Sequence, residues 1–277
     1  MPYRLCAWLA ARLPHALSGV IARAIAFAFA WTHPSRRRAV RGNLARIRPD
    51  ADARTLERLV TATYVAFAES LVDAWRDAPA SVAIEGEERL RSALASGRGV
   101  VLWSAHLGNW ELAAAALSRA GFPVAALARP HADPATDRFF AERRAAAGVH
   151  VVGRCPGARG ARSVLRARGL LALLGDRRFE GRGRPVPFFG RPAWLPAAPL
   201  ALARRTGSLV VPGFVVKVAP GRYRIQLEPA LDGTVTGPGG DGVLADLAAA
   251  LERHVRRDPT QWFVFEPMWD ERAAEPA

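Results

Sequence analysis

A histidine and a glutamate stand five positions apart in Ser104-Ala-His-Leu-Gly-Asn-Trp-Glu111, where an apolar stretch gives way to a helix-forming one. An imidazole beside a carboxylate is the minimal equipment of a general base, because the carboxylate fixes the ring tautomer and stabilises the cation that forms. Gly99-Val-Val-Leu-Trp103 reads as a buried strand, and Glu111 to Ala120 is rich in strong helix formers, which puts His106 in the turn between them. On one continuous helix, five steps of about 100° would leave the two side chains roughly 140° apart. They can meet only where Leu107-Gly108-Asn109 turns the chain. Asn109 predicts an N-cap, which leaves Glu111 in the first helical turn, where the macrodipole favours its ionised form. Glu111 is thus expected to orient and polarise His106. His-x4-Glu is not the helical pair of a zincin, and no nearby His or Cys completes a ligand set, so no metal is expected.

A second candidate group lies further on. Asp176 ends the apolar run Gly169 to Gly175, a position where open parallel sheets place functional groups. The loop after it, Arg177-Arg-Phe-Glu-Gly-Arg-Gly-Arg184, combines four arginines with glycines that permit close approach to a phosphate; a solvated basic loop reads the same way. Gly237-Pro-Gly-Gly-Asp-Gly242 satisfies Gly-x-Gly-x-x-Gly, but no strand delivers it, so it reads as a surface loop. A Gly-x-Ser-x-Gly elbow is missing, which weakens a serine-hydrolase reading.

The elements that must hold these groups alternate. Helices over Arg36–Ile47 and Ala53–Ala74 precede strands and helices in turn: Val100–Trp103, a helix from Trp110, Pro123–Leu127, Pro134–Ala146, Val149–Val152, Ala158–Ala167, Gly169–Leu174 and Pro196–Thr206. A strand pair follows over Leu209–Val218 and Tyr223–Leu227, then a helix over Val243–Val255. This order predicts an α/β fold with a largely parallel central sheet flanked by helices.

Residues 5 to 31 are unusually apolar, but Arg12, Pro14, His15 and Arg23 interrupt them, short of the about 20 apolar residues a spanning helix needs. Ala28-Phe-Ala30 has the form of a signal-peptide cleavage site, against which Arg23 argues. We read residues 1–32 as an uncleaved apolar membrane anchor, spanning or lying in the interface, and 33–277 as one catalytic domain. Arg36, Arg37, Arg38, Arg41, Arg46 and Arg48 follow at once, a run that the positive-inside bias assigns to the cytoplasmic face.

Across 277 residues, 39 basic side chains against 25 acidic ones leave +14, so the partner should be anionic. All the basic residues are arginines except Lys217. Cys6 and Cys155 form no paired motif and imply no disulfide framework. Nucleic-acid binding would call for aromatics interleaved with the basic patch and a recognisable motif, and neither is found.

Taken together, these segments resemble the lipid A biosynthesis (lauroyl and myristoyl) acyltransferases of the lysophospholipid acyltransferase superfamily. His106-Leu-Gly-Asn-Trp-Glu111 resembles that family's His-x4-Asp/Glu motif, and Arg37 to Ile47 its basic Asn-Leu helix. Leu127-Ala-Arg129-Pro130 resembles its Tyr-Arg-Pro segment, with Arg143-Arg144 at the right distance beyond; Leu173-Leu-Gly-Asp176, Val186-Pro-Phe-Phe-Gly190 and Gln261-Trp262-Phe263 resemble its remaining blocks. The chain departs from the family at Ala128 and Arg177, where a tyrosine and a glutamine are common. The resemblance implies a His106/Glu111 dyad and substrate contacts at Arg129, Arg143, Arg144, Asp176, Arg177 and Arg178, with no cofactor. It implies transfer of a fatty acyl chain from acyl carrier protein, or coenzyme A, to a hydroxyl of an anionic lipid such as a lipid A intermediate. The cytoplasmic face of a bacterial inner membrane is the expected location. The competing readings are a glycerophospholipid, phosphatidylinositol mannoside or aminolipid acceptor, or a non-catalytic basic membrane-binding module. The oxyanion of such a reaction would be met by backbone amides around Gly108 and Asn109, or by Arg143 or Arg144.

Overall fold

The computed structural model describes residues 2–76, 81–153, 159–177, 183–235 and 242–269. The N-terminal layer is helical: α1 (Pro2–Arg12), α2 (His15–Thr32), α3 (Pro34–Ile47) and α4 (Ala53–Trp75). Strands and helices then follow as β1 (Ser81–Glu85), α5 (Glu87–Ala95), β2 (Val100–Ser104), α6 (Trp110–Arg119), β3 (Val124–Leu127), α7 (Pro134–Ala146), β4 (His150–Val152), α8 (Arg159–Arg166) and β5 (Leu170–Leu174). The chain ends with a hairpin of β6 (Arg184–Phe188) and β7 (Arg191–Leu195), then α9 (Ala198–Thr206), β8 (Leu209–Ala219), β9 (Arg222–Leu227), β10 (Leu231–Asp232) and α10 (Gly242–Arg257). A short 3₁₀ turn, Pro259–Gln261, leads into the tail.

The main sheet runs β1-β9-β8-β2-β5-β3-β4, with β10 paired to β8. Its pairings are parallel except β8 with β9 and β10 with β8. Both faces are covered, which explains why β2 and β5 are continuous apolar runs. Val101, Trp103, Leu171 and Leu173 pack on one face under α8, α9 and α10, whereas Val100, Leu102 and Leu170 pack on the other under α5 and α6.

The residues at the helix starts explain several boundaries. Asp52, Asn109 and Asp133 each accept the backbone N–H of the third residue of α4, α6 and α7, at 2.8, 3.1 and 2.9 Å. The apolar N-terminal stretch is two helices, broken where Pro14 follows Leu13. Ala22, Ala26 and Ala30 are buried at helical spacing on α2, which packs against α4, while Val20, Ile25, Phe27 and Trp31 stay exposed. No helix among the described residues is long and apolar enough to cross a membrane. The hairpin β6–β7 and the edge strand β1 are additions to the sequence reading; Val186-Pro-Phe-Phe-Gly190 turns out to be one arm and the turn of that hairpin.

Candidate active site

The register of the sheet builds the site. Strands β2 and β5 are adjacent and parallel, with Ser104 opposite Leu174. Two residues past each strand end, His106 and Asp176 therefore stand side by side at the carboxyl edge of the sheet. His106 Nδ1 lies 2.8 Å from Asp176 Oδ1, and the His106 backbone N–H donates to Oδ2 at 2.9 Å. The indole N–H of Trp262 donates to the same Oδ2 at 2.9 Å.

Asp176 is fully buried. Burial alone would raise its pKa, but the facing imidazole and the three N–H donors outweigh that, and the carboxyl is held below its ordinary value. An ionised Asp176 makes Nδ1 the protonated nitrogen, so the lone pair sits on Nε2. Among the described residues Nε2 has no hydrogen-bond partner. The ring is partly exposed and meets Trp110 edge-to-face at 5.1 Å. This is the arrangement of a general base with its proton-accepting atom turned outward.

Glu111 does something else. Its carboxylate takes a bidentate pair from Arg144, at 3.0 and 2.5 Å, which ties the first turn of α6 to the last turn of α7. The carboxylate at His106 Nδ1 is thus Asp176, seventy residues away in sequence, rather than Glu111. Arg143 donates to the carbonyl of Ala74 at 2.7 Å. Arg177 makes a bidentate pair with Glu266, both bonds 2.5 Å. Arg129 is exposed two residues past β3, on the same sheet edge. Arg178 lies outside the described residues, as do Cys155 and residues 237–241 of the glycine loop.

The turn that carries His106 is clamped from the tail. Gly108 N–H donates to the carbonyl of Gln261 at 2.9 Å, so this amide is spent and is not an oxyanion donor. The Phe263 N–H returns the bond to the carbonyl of His106 at 2.7 Å. Gly108 has φ +59°, and a Cβ there would stand 2.2 Å from the carbonyl oxygen of Val215, so glycine is required on both counts. Gln261 in turn brackets the backbone of Lys217, accepting from its N–H at 2.7 Å and donating to its carbonyl at 3.0 Å. The Lys217 ammonium pairs with Asp73 at 3.0 Å and Glu69 at 3.2 Å. The Tyr223 hydroxyl donates to Asp73 at 2.6 Å; burial and then the Asp73 charge push its pKa upward, so it remains a donor. Trp262 and Gln261 stand in the candidate site, where reasoning from residue types left them without a role. The available signal was the Gln-Trp-Phe block itself.

A family model described as bacterial lipid A biosynthesis acyltransferase matches residues 3–271. The chain belongs to that family. Among characterised relatives, a protein named phosphatidylinositol mannoside acyltransferase from Mycolicibacterium smegmatis (strain ATCC 700084 / mc(2)155) is 29% identical over 258 residues, covering 85% of this chain and 82% of the relative. The protein of the same name from Mycobacterium tuberculosis (strain ATCC 25618 / H37Rv) is 29% identical over 192 residues, covering 67% of this chain and 59% of the relative's length. The matched span includes His106, Asp176 and Trp262, which the geometry brings together.

Proposed function

We propose that this member of the family is an O-acyltransferase working at a membrane surface, with His106 as general base and Asp176 as the carboxylate that orients it. The observation that carries the reading is the Asp176 to Nδ1 hydrogen bond, with Nε2 turned toward the partly exposed side of the ring. His106 Nε2 takes the proton of an acceptor hydroxyl as its oxygen attacks the thioester carbonyl. The tetrahedral intermediate collapses, the C–S bond breaks, and the imidazolium returns the proton to the departing thiolate of acyl carrier protein or coenzyme A. Asp176 stabilises the imidazolium between the two transfers.

The acceptor we favour is a phosphorylated glycolipid. The names of the mycobacterial relatives support a phosphatidylinositol mannoside, and the family description supports a lipid A intermediate; both offer a hydroxyl on an anionic lipid. The exposed apolar side chains of α1 and α2 support interfacial placement. Trp31 is 77% exposed, Val20 61% and Leu5 59%, with Trp8, Leu17, Ile25 and Phe27 beside them. Exposed apolar side chains of this number, followed by the arginines of α3, suit a helix pair lying in the headgroup region of an anionic bilayer.

The test is transfer from a radiolabelled acyl carrier protein thioester, and from the coenzyme A thioester, to a panel of phosphatidylinositol mannoside and lipid A precursors. Wild-type transfer abolished by His106→Ala and Asp176→Asn supports the reading. Equal transfer by wild type and His106→Ala refutes it.

A further inference from the structure

Charge is distributed unevenly along the chain. Residues 154–208 hold twelve arginines against two acids, Asp176 and Glu180, so this fifth of the sequence carries ten of the fourteen net positive charges. In the fold the segment supplies α8, β5, the hairpin β6–β7 and α9. The helices and the hairpin pack on the same face of the main sheet, through Ala161, Leu165, Val186, Phe188, Leu200 and Ala203. Their outward sides therefore form one basic surface.

Helix α8 presents much of it. Arg159, Arg162 and Arg166 fall within about 60° of one another around the helix, away from the buried Ala161 and Leu165. Arg159 and Arg166 are exposed, as are Arg168 just beyond and Arg205 at the end of the neighbouring α9. Arg168 holds φ +60°, whereas glycines take the left-handed position after α5, α6, α7 and α9. A charged side chain is thus kept where glycine would be unstrained. The surface begins beside the catalytic edge. A Cβ on Gly160 would stand 2.9 Å from Val152 Cγ1, so the first turn of α8 meets the carboxyl end of β4. Strand β4 is three strands from β2, roughly 14 Å at the usual strand spacing, and α8 itself packs on β5, next to β2.

The chemistry of this face differs from that of α1 and α2. Among the described residues the exposed large apolar side chains lie on those two helices, apart from Val218 and Val235, and none is on α8, α9 or the hairpin. Charge without an apolar anchor suits a soluble anionic partner rather than burial in a bilayer. We infer that this face docks the protein carrier of the acyl thioester, an acidic acyl carrier protein. Arg159, Arg162, Arg166 and Arg205 meet its carboxylates, while its prosthetic arm reaches over the carboxyl edge of the sheet to His106. Coenzyme A, a small molecule, would engage only a few of these charges. The inference rests on the acyl-transfer reading for the class of partner, and it names the carrier protein over coenzyme A as the donor.

Fluorescently labelled holo-acyl carrier protein titrated into the detergent-solubilised full chain tests the site, with phosphatidylglycerol vesicles as a second probe. Wild type should bind the carrier, and more weakly as salt is raised. Two charge-reversed pairs, Arg159→Glu with Arg166→Glu on α8 and Arg166→Glu with Arg205→Glu across α8 and α9, should each weaken binding at least tenfold. Arg119→Glu, the same reversal on α6 under the other face of the sheet, should bind within twofold of wild type. In turnover, the α8 pair should raise KM for the carrier thioester at unchanged kcat and leave KM for the coenzyme A thioester as in wild type. His106→Ala should bind the carrier normally even where no transfer is found, which separates failure of the catalytic reading from failure of this one. The inference is overturned if wild type does not bind the carrier, or if both reversed pairs bind it as wild type does. Reversed pairs that lose vesicle binding and keep the carrier would assign the face to the bilayer and overturn it as well.

Discussion

Asp176→Asn separates the geometry found here from the dyad that local spacing suggests. Two N–H donors, from the His106 backbone and Trp262, point at Oδ2, so an asparagine must present its oxygen there and its NH₂ at the place of Oδ1. That NH₂ faces His106 Nδ1, which can then only accept. The proton is forced onto Nε2, and the base loses its lone pair toward the acceptor. The same carboxylate-to-amide change in a Ser-His-Asp triad lowers kcat by about 10⁴ through the wrong tautomer, or roughly 5.4 kcal/mol at 1.36 kcal/mol per decade. We expect a loss of about 10³ to 10⁴ in thiol release from the acyl donor, with the thermal midpoint little changed because the two N–H donors keep their acceptor oxygen and the new NH₂ donates to Nδ1. Glu111→Gln should cost far less activity, since its partner is Arg144. An Asp176→Asn enzyme that folds and keeps more than a tenth of wild-type turnover, or a Glu111→Gln enzyme that is the more damaged of the two, would sink the assignment.

Other perturbations read out the supports. Gly108→Ala places a methyl against the Val215 carbonyl at a positive φ and should destabilise by about 2 kcal/mol or more, a fall of roughly 4 to 8 °C in Tm by calorimetry; an unchanged Tm would refute the clamp. Lys217→Met leaves buried Asp73 without its cation and should cost about 3 kcal/mol, whereas Lys217→Arg should recover part of it in urea titrations. Among the described residues the buried Tyr64 hydroxyl has no partner, so Tyr64→Phe should be neutral or stabilise by up to about 1 kcal/mol; a clear loss would mean that the hydroxyl has a ligand. His254 is buried against Glu228, and desolvation, only partly offset by that carboxylate, holds its pKa below 6.5. The unfolded state then binds the extra proton first, so stability should decline as pH falls below 6.5. His254→Gln should flatten that decline in a series of thermal melts, and an equally steep decline in the variant would rule it out.

The strand-to-helix turn at His106, the apolar run ending at Asp176 and the parallel order of the sheet were legible because each is written in a few consecutive residues. Which carboxylate serves His106 was not. Glu111 is five residues away and Asp176 seventy, and only the neighbouring positions of β2 and β5, with Ser104 opposite Leu174, decide between them. Trp262 was illegible for the same reason, since its role depends on a tail that returns across the sheet edge. Strand β1 escaped because its alternation runs over only five residues, half-exposed throughout. In β6–β7, two arginines and three prolines disguise a hairpin.

The solitary lysine has a practical corollary. A protease that cleaves only after lysine meets one site in 277 residues, Lys217. That peptide bond lies inside β8, at the irregularity in its pairing with β9, and Gln261 brackets the Lys217 backbone. Cutting it requires this end of β8 to leave Gln261, which also supports the His106 turn. The rate at which the native chain splits there, into fragments 1–217 and 218–277, is a clock for that opening, readable on a gel without any label.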